Sequence, residues 1–184
     1  MEIEVSAEAK DKRLNRNVAI TVVVLSVFSA LCNIKDGNIV QAMQQAQAAS
    51  VDQWNEYQAA RTKLHIDQST RAQLQLLGDP AKAGPAIADL DKSIAKYGAE
   101  TPKLAASAKD QSAQYDALNL HDDQFDAADA ALTTAISVAA VAALSEMVWL
   151  LWLGWAFGAF GIVMGMAGFL GLGLHSDFLA RMLS

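Results

Sequence analysis

Two long apolar blocks, Val18–Ile34 and roughly Ala127–Leu174, separated by a polar stretch, constrain this chain more than any other feature. The first block carries no charge and lies at the short end of what crosses a hydrocarbon core of roughly 30 Å as a helix. The second is too long for one crossing. Ser145 and Glu146 interrupt it, which divides it into an alanine-rich span, 127–144, and a second span, 147–170. With 53% hydrophobic and 18% charged residues, the average composition hides this segregation, because the charges collect between the blocks. The expected fold class is therefore an all-α membrane protein with three transmembrane helices.

The basic residues Lys10, Lys12, Arg13 and Arg16 precede the first span, and only Lys35 follows it closely. Basic residues favour the cytoplasmic flank of a span. The expected topology thus puts segment 1–17 in the cytoplasm, the first span at 18–34, and segment 35–126 outside. The turn at Ser145–Glu146 is then cytoplasmic. The tail, 171–184, leaves the membrane outside, with Phe178, Leu179 and Met182 at a spacing that suits a helix lying on the membrane surface. A cleaved leader would share the basic start and short apolar core. However, Leu31 precedes Cys32, where a peptidase needs a small residue, so the segment is expected to be retained. The single cysteine excludes a disulfide framework and a cysteine-based metal site. The formal net charge of -6, with no basic stripe, argues against a nucleic-acid partner.

Segment 35–126 shows no alternating β-branched pattern and is rich in helix formers. Nothing breaks a helix between Asn38 and Leu77. Ile39, Met43, Ala46, Ser50, Trp54, Tyr57, Ala60 and Leu64 recur along it at helical spacing. Gly78-Asp79-Pro80 ends that helix. A short helix is expected over Ile87–Tyr97, ended by Gly98, with a restart at Thr101-Pro102. Ala105, Ala108, Ser112, Tyr115, Leu118 and Phe125 form a second narrow stripe of mostly small residues. Two narrow stripes predict a coiled-coil-like helical hairpin between the first and second spans.

The order of these features, with an Asn17-Val18-Ala19-Ile20 opening to the first span and a W-x-x-Y-Q-A box at Trp54–Ala59, resembles a family of bacterial membrane proteins known only as a domain of unknown function. The resemblance covers most of the chain. Members of that family usually carry a lysine directly after the box, where this chain has Ala60, with Arg61 and Lys63 just beyond. They also tend to have basic residues between the last two spans, where this chain has none. The resemblance implies a bacterial inner-membrane location and no activity or cofactor.

Four sets of residues are candidates for function. Gly154, Gly158, Gly161, Gly165 and Gly168 follow a 4-3-4-3 spacing that keeps them on one seam of the third span. Such a seam lets another backbone approach closely, either within the chain or between subunits, and both readings stand at this point. Asp122, Asp126 and Asp129 share one helix face beside His121 and Asp123. This set forms either an acidic solvated collar or, in a ring of subunits, a cation-attracting vestibule. Trp54, Tyr57 and Gln58 form either a helix-packing contact or a partner surface. Trp149, Trp152 and Trp155 anchor the start of the third span at the interface.

His65, His121 and His175 share no spacing motif, and no phosphate loop or nucleophile elbow is present, so no catalytic role is expected. The expected role is structural: a homo-oligomeric assembly or scaffold whose partners are the bilayer and further copies of itself. An oligomeric channel and an accessory subunit of a larger membrane complex are the alternatives.

Overall fold

The computed structural model describes residues 2–172. They form three helices: α1, Glu2–Leu77; α2, Pro80–Ser145; and α3, Val148–Leu170. No strand occurs among the described residues. Each helix contains a stretch long and apolar enough to cross a membrane. The chain divides into two compact units. One uses α1 up to Gln41, α2 from Ala117 and α3; the other spans Ala42–Asp116. The tail residues Phe178, Leu179 and Met182 lie outside the described residues.

In the three-helix unit, the alanine-rich span of α2 supplies the centre. Ala128, Ala131, Ala135, Ala139 and Ala142 are all buried and recur every three or four residues. Leu25, Leu132 and Met164 pack among them, flanked by Phe28, Ile136 and Ile162. Leu14, Val18 and Leu151 close the end near the α2–α3 turn, against Ala139 and Ala142. The weak hydrophobicity of α2 has a structural cause. Its small side chains face neighbours, while bulky residues such as Ile20, Val23, Val27, Phe160 and Val163 face outward. Lipid tails are as apolar as leucine, so close van der Waals fit, rather than burial, holds such helices together. Glu146 takes the turn between α2 and α3 in the left-handed region, at φ 54°. At the far end of α3, Gly171 adopts φ 66°, and the Leu172 N–H bonds the Ala167 carbonyl at 3.0 Å. That closure favours glycine, which meets no Cβ penalty in the left-handed region.

The two-helix unit is an antiparallel pair with a heptad-like seam. On α1 the inward residues are Met43, Ala46, Ser50, Gln53, Tyr57, Ala60, Leu64, Asp67, Arg71 and Leu74. On α2 they include Ala83, Leu90, Ile94, Tyr97, Thr101, Leu104, Ala108 and Tyr115. The steps of three and four are those of a left-handed coil. Polar pairs fix its register. Ser50 Oγ lies 2.9 Å from Ser112 Oγ and donates to the Ala108 carbonyl at 3.2 Å. Near the other end Ser93 donates to Asp67, and Arg71 pairs with Asp91.

One expectation is overturned here. The helix expected to stop at Gly98 and restart at Thr101-Pro102 does not stop: α2 is continuous through Pro85 and Pro102. A proline inside a helix costs about 3 kcal/mol because it removes a hydrogen bond and crowds the preceding turn. Here Thr101 Oγ1 donates to the Tyr97 carbonyl at 3.0 Å, and the seam of Tyr97, Thr101, Leu104 and Ala108 binds α2 to α1 through this stretch. Lys63 and Lys96 also sit over the Tyr97 ring, at 5.5 and 5.4 Å from its centroid. Packing against α1 outweighs the local helix-breaking signal.

The glycines differ in what surrounds them, and this yields a paired prediction. A Cβ added at Gly161 would meet Leu132 Cγ at 2.8 Å and the Ala128 carbonyl oxygen at 3.0 Å, whereas one added at Gly98 meets nothing within 4 Å. Gly161→Leu is expected to destabilise the fold by about 1–3 kcal/mol through overpacking. Gly98→Ala is expected to stabilise it by about 0.5–1 kcal/mol. Thermal unfolding in mild detergent checks both; equal shifts in the two variants would contradict this packing.

Candidate functional site

The glycine seam faces the chain's own helices along its whole length. Gly154 lies against the Ala135 carbonyl and Ala139, Gly158 against Leu25, and Gly161 against Ala128 and Leu132. An added Cβ would stand 2.9 Å from Cys32 Sγ at Gly165 and 2.8 Å from the Phe125 ring at Gly168. All five glycines are buried. The seam is thus taken up by packing within the chain, with α1 and α2 both seated on it. Each of the five positions holds a neighbour of the same chain at van der Waals distance or closer. Cys32 is fully buried at this contact.

The acidic face gains partners from α1 that were not foreseen. Asp129 accepts a hydrogen bond from Ser29 Oγ at 2.8 Å, tying the first span to the second. Asp36 of α1 stands near Asp122 and Asp126 and carries its charge towards both. Its Oδ1 is buried without a hydrogen-bond partner. Burial first, and then the negative charge of Asp36, push the Asp122 carboxyl up to about 6, with Asp126 and Asp123 adding to the effect. The Asp126 carboxyl moves up too, through loss of hydration and then the charges of Asp36, Asp123 and Asp129. Among the described residues, no group of three or more histidines, cysteines or carboxylates has a metal-holding arrangement.

Beside this cluster Gln124 is buried and joins two elements. Its Nε2 donates to the Leu172 carbonyl at 2.7 Å, and its Oε1 lies 3.2 Å from His121 Nδ1. It fastens α2 to the residue that follows the glycine cap of α3. Ser29, Asp36 and Gln124 were missed in the sequence, yet Asp36 gave a signal. It stands one helical turn beyond Cys32 and one turn before Ile39, in line with residues that face inward.

Trp54 and Tyr57 meet edge to face, with centroids 5.4 Å apart. Both are half-buried, Tyr57 in the seam and Trp54 beside it, and Gln58 is exposed. The box is therefore in part a packing contact of the two-helix unit, while Asn55, Glu56, Gln58 and Ala59 are open. Trp149 and Trp152 are exposed, Trp152 meets Trp155 at 5.2 Å, and Trp155 Nε1 donates to Thr21 Oγ1 at 2.9 Å. These rings mark one end of the three-helix unit, and the carboxylates mark the other.

A family model described as a domain of unknown function, DUF4337, matches residues 14–171. No curated protein and no solved structure matches the chain.

The Asp122 shift has a defined consequence. A carboxyl raised in the folded state from 3.8 to about 6 contributes stability below its unfolded value and loses it as pH rises through about 6. The protein is therefore expected to unfold at a higher temperature at about pH 5 than at about pH 7.5. Asp122→Asn should raise the melting temperature at the higher pH and shrink the difference between the two. Differential scanning fluorimetry in detergent reads this, and an unchanged pH dependence in the variant would contradict the assignment.

Proposed function

The chain belongs to the DUF4337 family, and from that premise we propose that it is a non-enzymatic scaffold of the bacterial inner membrane that self-associates into a homo-oligomer. The N-terminus lies in the cytoplasm and the helical hairpin on the opposite side. The orientation is supported by Lys12, Arg13 and Arg16 before the first apolar stretch, against Lys35 alone close behind it. The structural role is supported by one observation above the rest. The polar segment pairs its two helices along a single seam of side chains, and a two-helix layer of this kind has no interior beyond that seam. Its inward polar groups, Ser50, Asp67 and Arg71, are engaged with α2 and set register. Such an element is a strut, which presents outer faces to partners.

A transport reading draws on a different observation. Asp36, Asp122 and Asp126 gather carboxylates at one end of the membrane unit, and several copies around an axis would concentrate cations there. It requires the same self-association, so the scaffold proposal comes first. A role as accessory subunit requires a stoichiometric foreign partner instead.

Native mass spectrometry of the full chain in mild detergent tests the proposal. A discrete homo-oligomer is expected, and it should survive Gly158→Leu and Gly161→Leu in the fraction that folds, since those residues pack inside the chain. A monomer at all concentrations, or a stoichiometric complex with an unrelated protein, would contradict it.

A further inference from the structure

The two outer faces of the hairpin differ in kind. The mid-line of α2, opposite its seam, is charged in the ordinary way of a solvated coil: Asp89, Lys92, Lys96, Lys103, Lys109 and Asp110 are all exposed along it. The corresponding mid-line of α1, from Asn55 to Leu76, holds no aspartate, glutamate, lysine or arginine. Gln58, Thr62, Ile66, Ser69, Gln73 and Leu76 occupy it, and every one is exposed. Ile66 is 57% and Leu76 84% exposed. A shallow groove of about 400 Å³ lies on this face, lined by Thr62, His65, Ile66, Ser69 and Thr70. A solvated strut has no use for an uncharged outer mid-line of this length.

The membrane decides what fits there. α1 is one helix that holds the first apolar stretch and ends at Leu77, so every copy inserted with the same topology presents α1 with the same chain polarity. Two copies that meet through α1 must therefore meet parallel, about an axis along the membrane normal, with each residue near its own counterpart. A charged mid-line would set like charge against like charge in every turn, at a cost of several kcal/mol for each close pair. An uncharged mid-line avoids that conflict. The face of α2, with lysines in successive turns, does not. Tethering in one plane also raises the effective concentration of one copy for another, so a modest contact area suffices.

We propose that the outer face of α1, centred on Thr62, Ile66 and Ser69, is a parallel in-register contact with a second copy of this chain. This deepens the scaffold proposal and rests on it, and it gives self-association an interface distinct from the glycine seam. Thr62, Ile66 and Ser69 stack as identical layers, with Ile66 as the apolar contact and the hydroxyls pairing across the axis.

The test uses the full chain in liposomes, with native Cys32 left in place because it is buried. Ser69→Cys is expected to give a reducible dimer on mild oxidation, and Lys92→Cys, on the outer face of α2, is expected to stay monomeric. Ser69→Glu and Ser69→Lys should each weaken self-association roughly tenfold by native mass spectrometry. Mixing the two variants should restore it, because opposite charges then meet in register. Retained helicity by circular dichroism separates loss of pairing from loss of fold. If the wild-type chain is an oligomer that Ser69→Glu leaves intact and Ser69→Cys does not cross-link, this interface is wrong and the scaffold proposal stands. If Lys92→Cys cross-links as readily as Ser69→Cys, the contact is random collision and the interface is likewise wrong. If the wild-type chain is monomeric, both fall.

Discussion

The close approach of α3 to the alanine face of α2 is the contact on which the membrane unit depends. Gly154, Gly158 and Gly161 leave room for the backbone and side chains of Ala128, Leu132, Ala135 and Ala139. Gly165 and Gly168 leave room for Cys32, Phe28 and Phe125. Within lipid there is little to gain from hiding apolar groups from water, so the fit itself must supply the stability. A row of glycines on one helix opposite a row of alanines on another supplies it. The same pairing explains why α2 is so weakly apolar and still sits in the bundle. Polar links then pin the ends and the middle: Trp155 to Thr21, Ser29 to Asp129, and Gln124 to Leu172.

Because the seam is filled from within, any association between copies has to use another surface. The hairpin offers such surfaces. There, the inward residues are small or polar and fix register through Ser50, Asp67 and Arg71. The outward residues split into a charged face on α2 and an uncharged one on α1. Membrane insertion gives every copy the same orientation, which turns this difference in charge into a difference in pairing competence.

Much of this architecture was legible in the sequence for reasons that are physical. Apolar length marked the three spans, and Ser145-Glu146 marked the turn, where Glu146 adopts a left-handed backbone. The stripe through Ile39, Met43, Ala46 and Ser50 marked the inward side of α1. The continuity of α2 through Gly98 and Pro102 was not legible, because those residues carry a local signal and the packing that overrides it comes from α1. The partners of the acidic face were hidden for a related reason. Asp122, Asp126 and Asp129 share a helix and could be grouped by spacing, while Asp36 and Ser29 lie about a hundred residues away in the chain and are brought in by the bundle. Spacing also identified the glycine seam, but spacing along one helix carries no information about which helix lies opposite.

The membrane unit rests on the seam being filled by the same chain, and one engineered bond tests that directly. A Cβ at Gly165 would lie 2.9 Å from Cys32 Sγ, close to the roughly 3 Å that a disulfide sets between one Cβ and the far sulfur. Gly165→Cys, oxidised in membranes with a permeable catalyst, should therefore form a disulfide with Cys32 inside one chain. Peptide mapping would then recover the linked pair from monomeric protein. A linkage found only between chains, or free thiols throughout a folded protein, would contradict the intrachain seam.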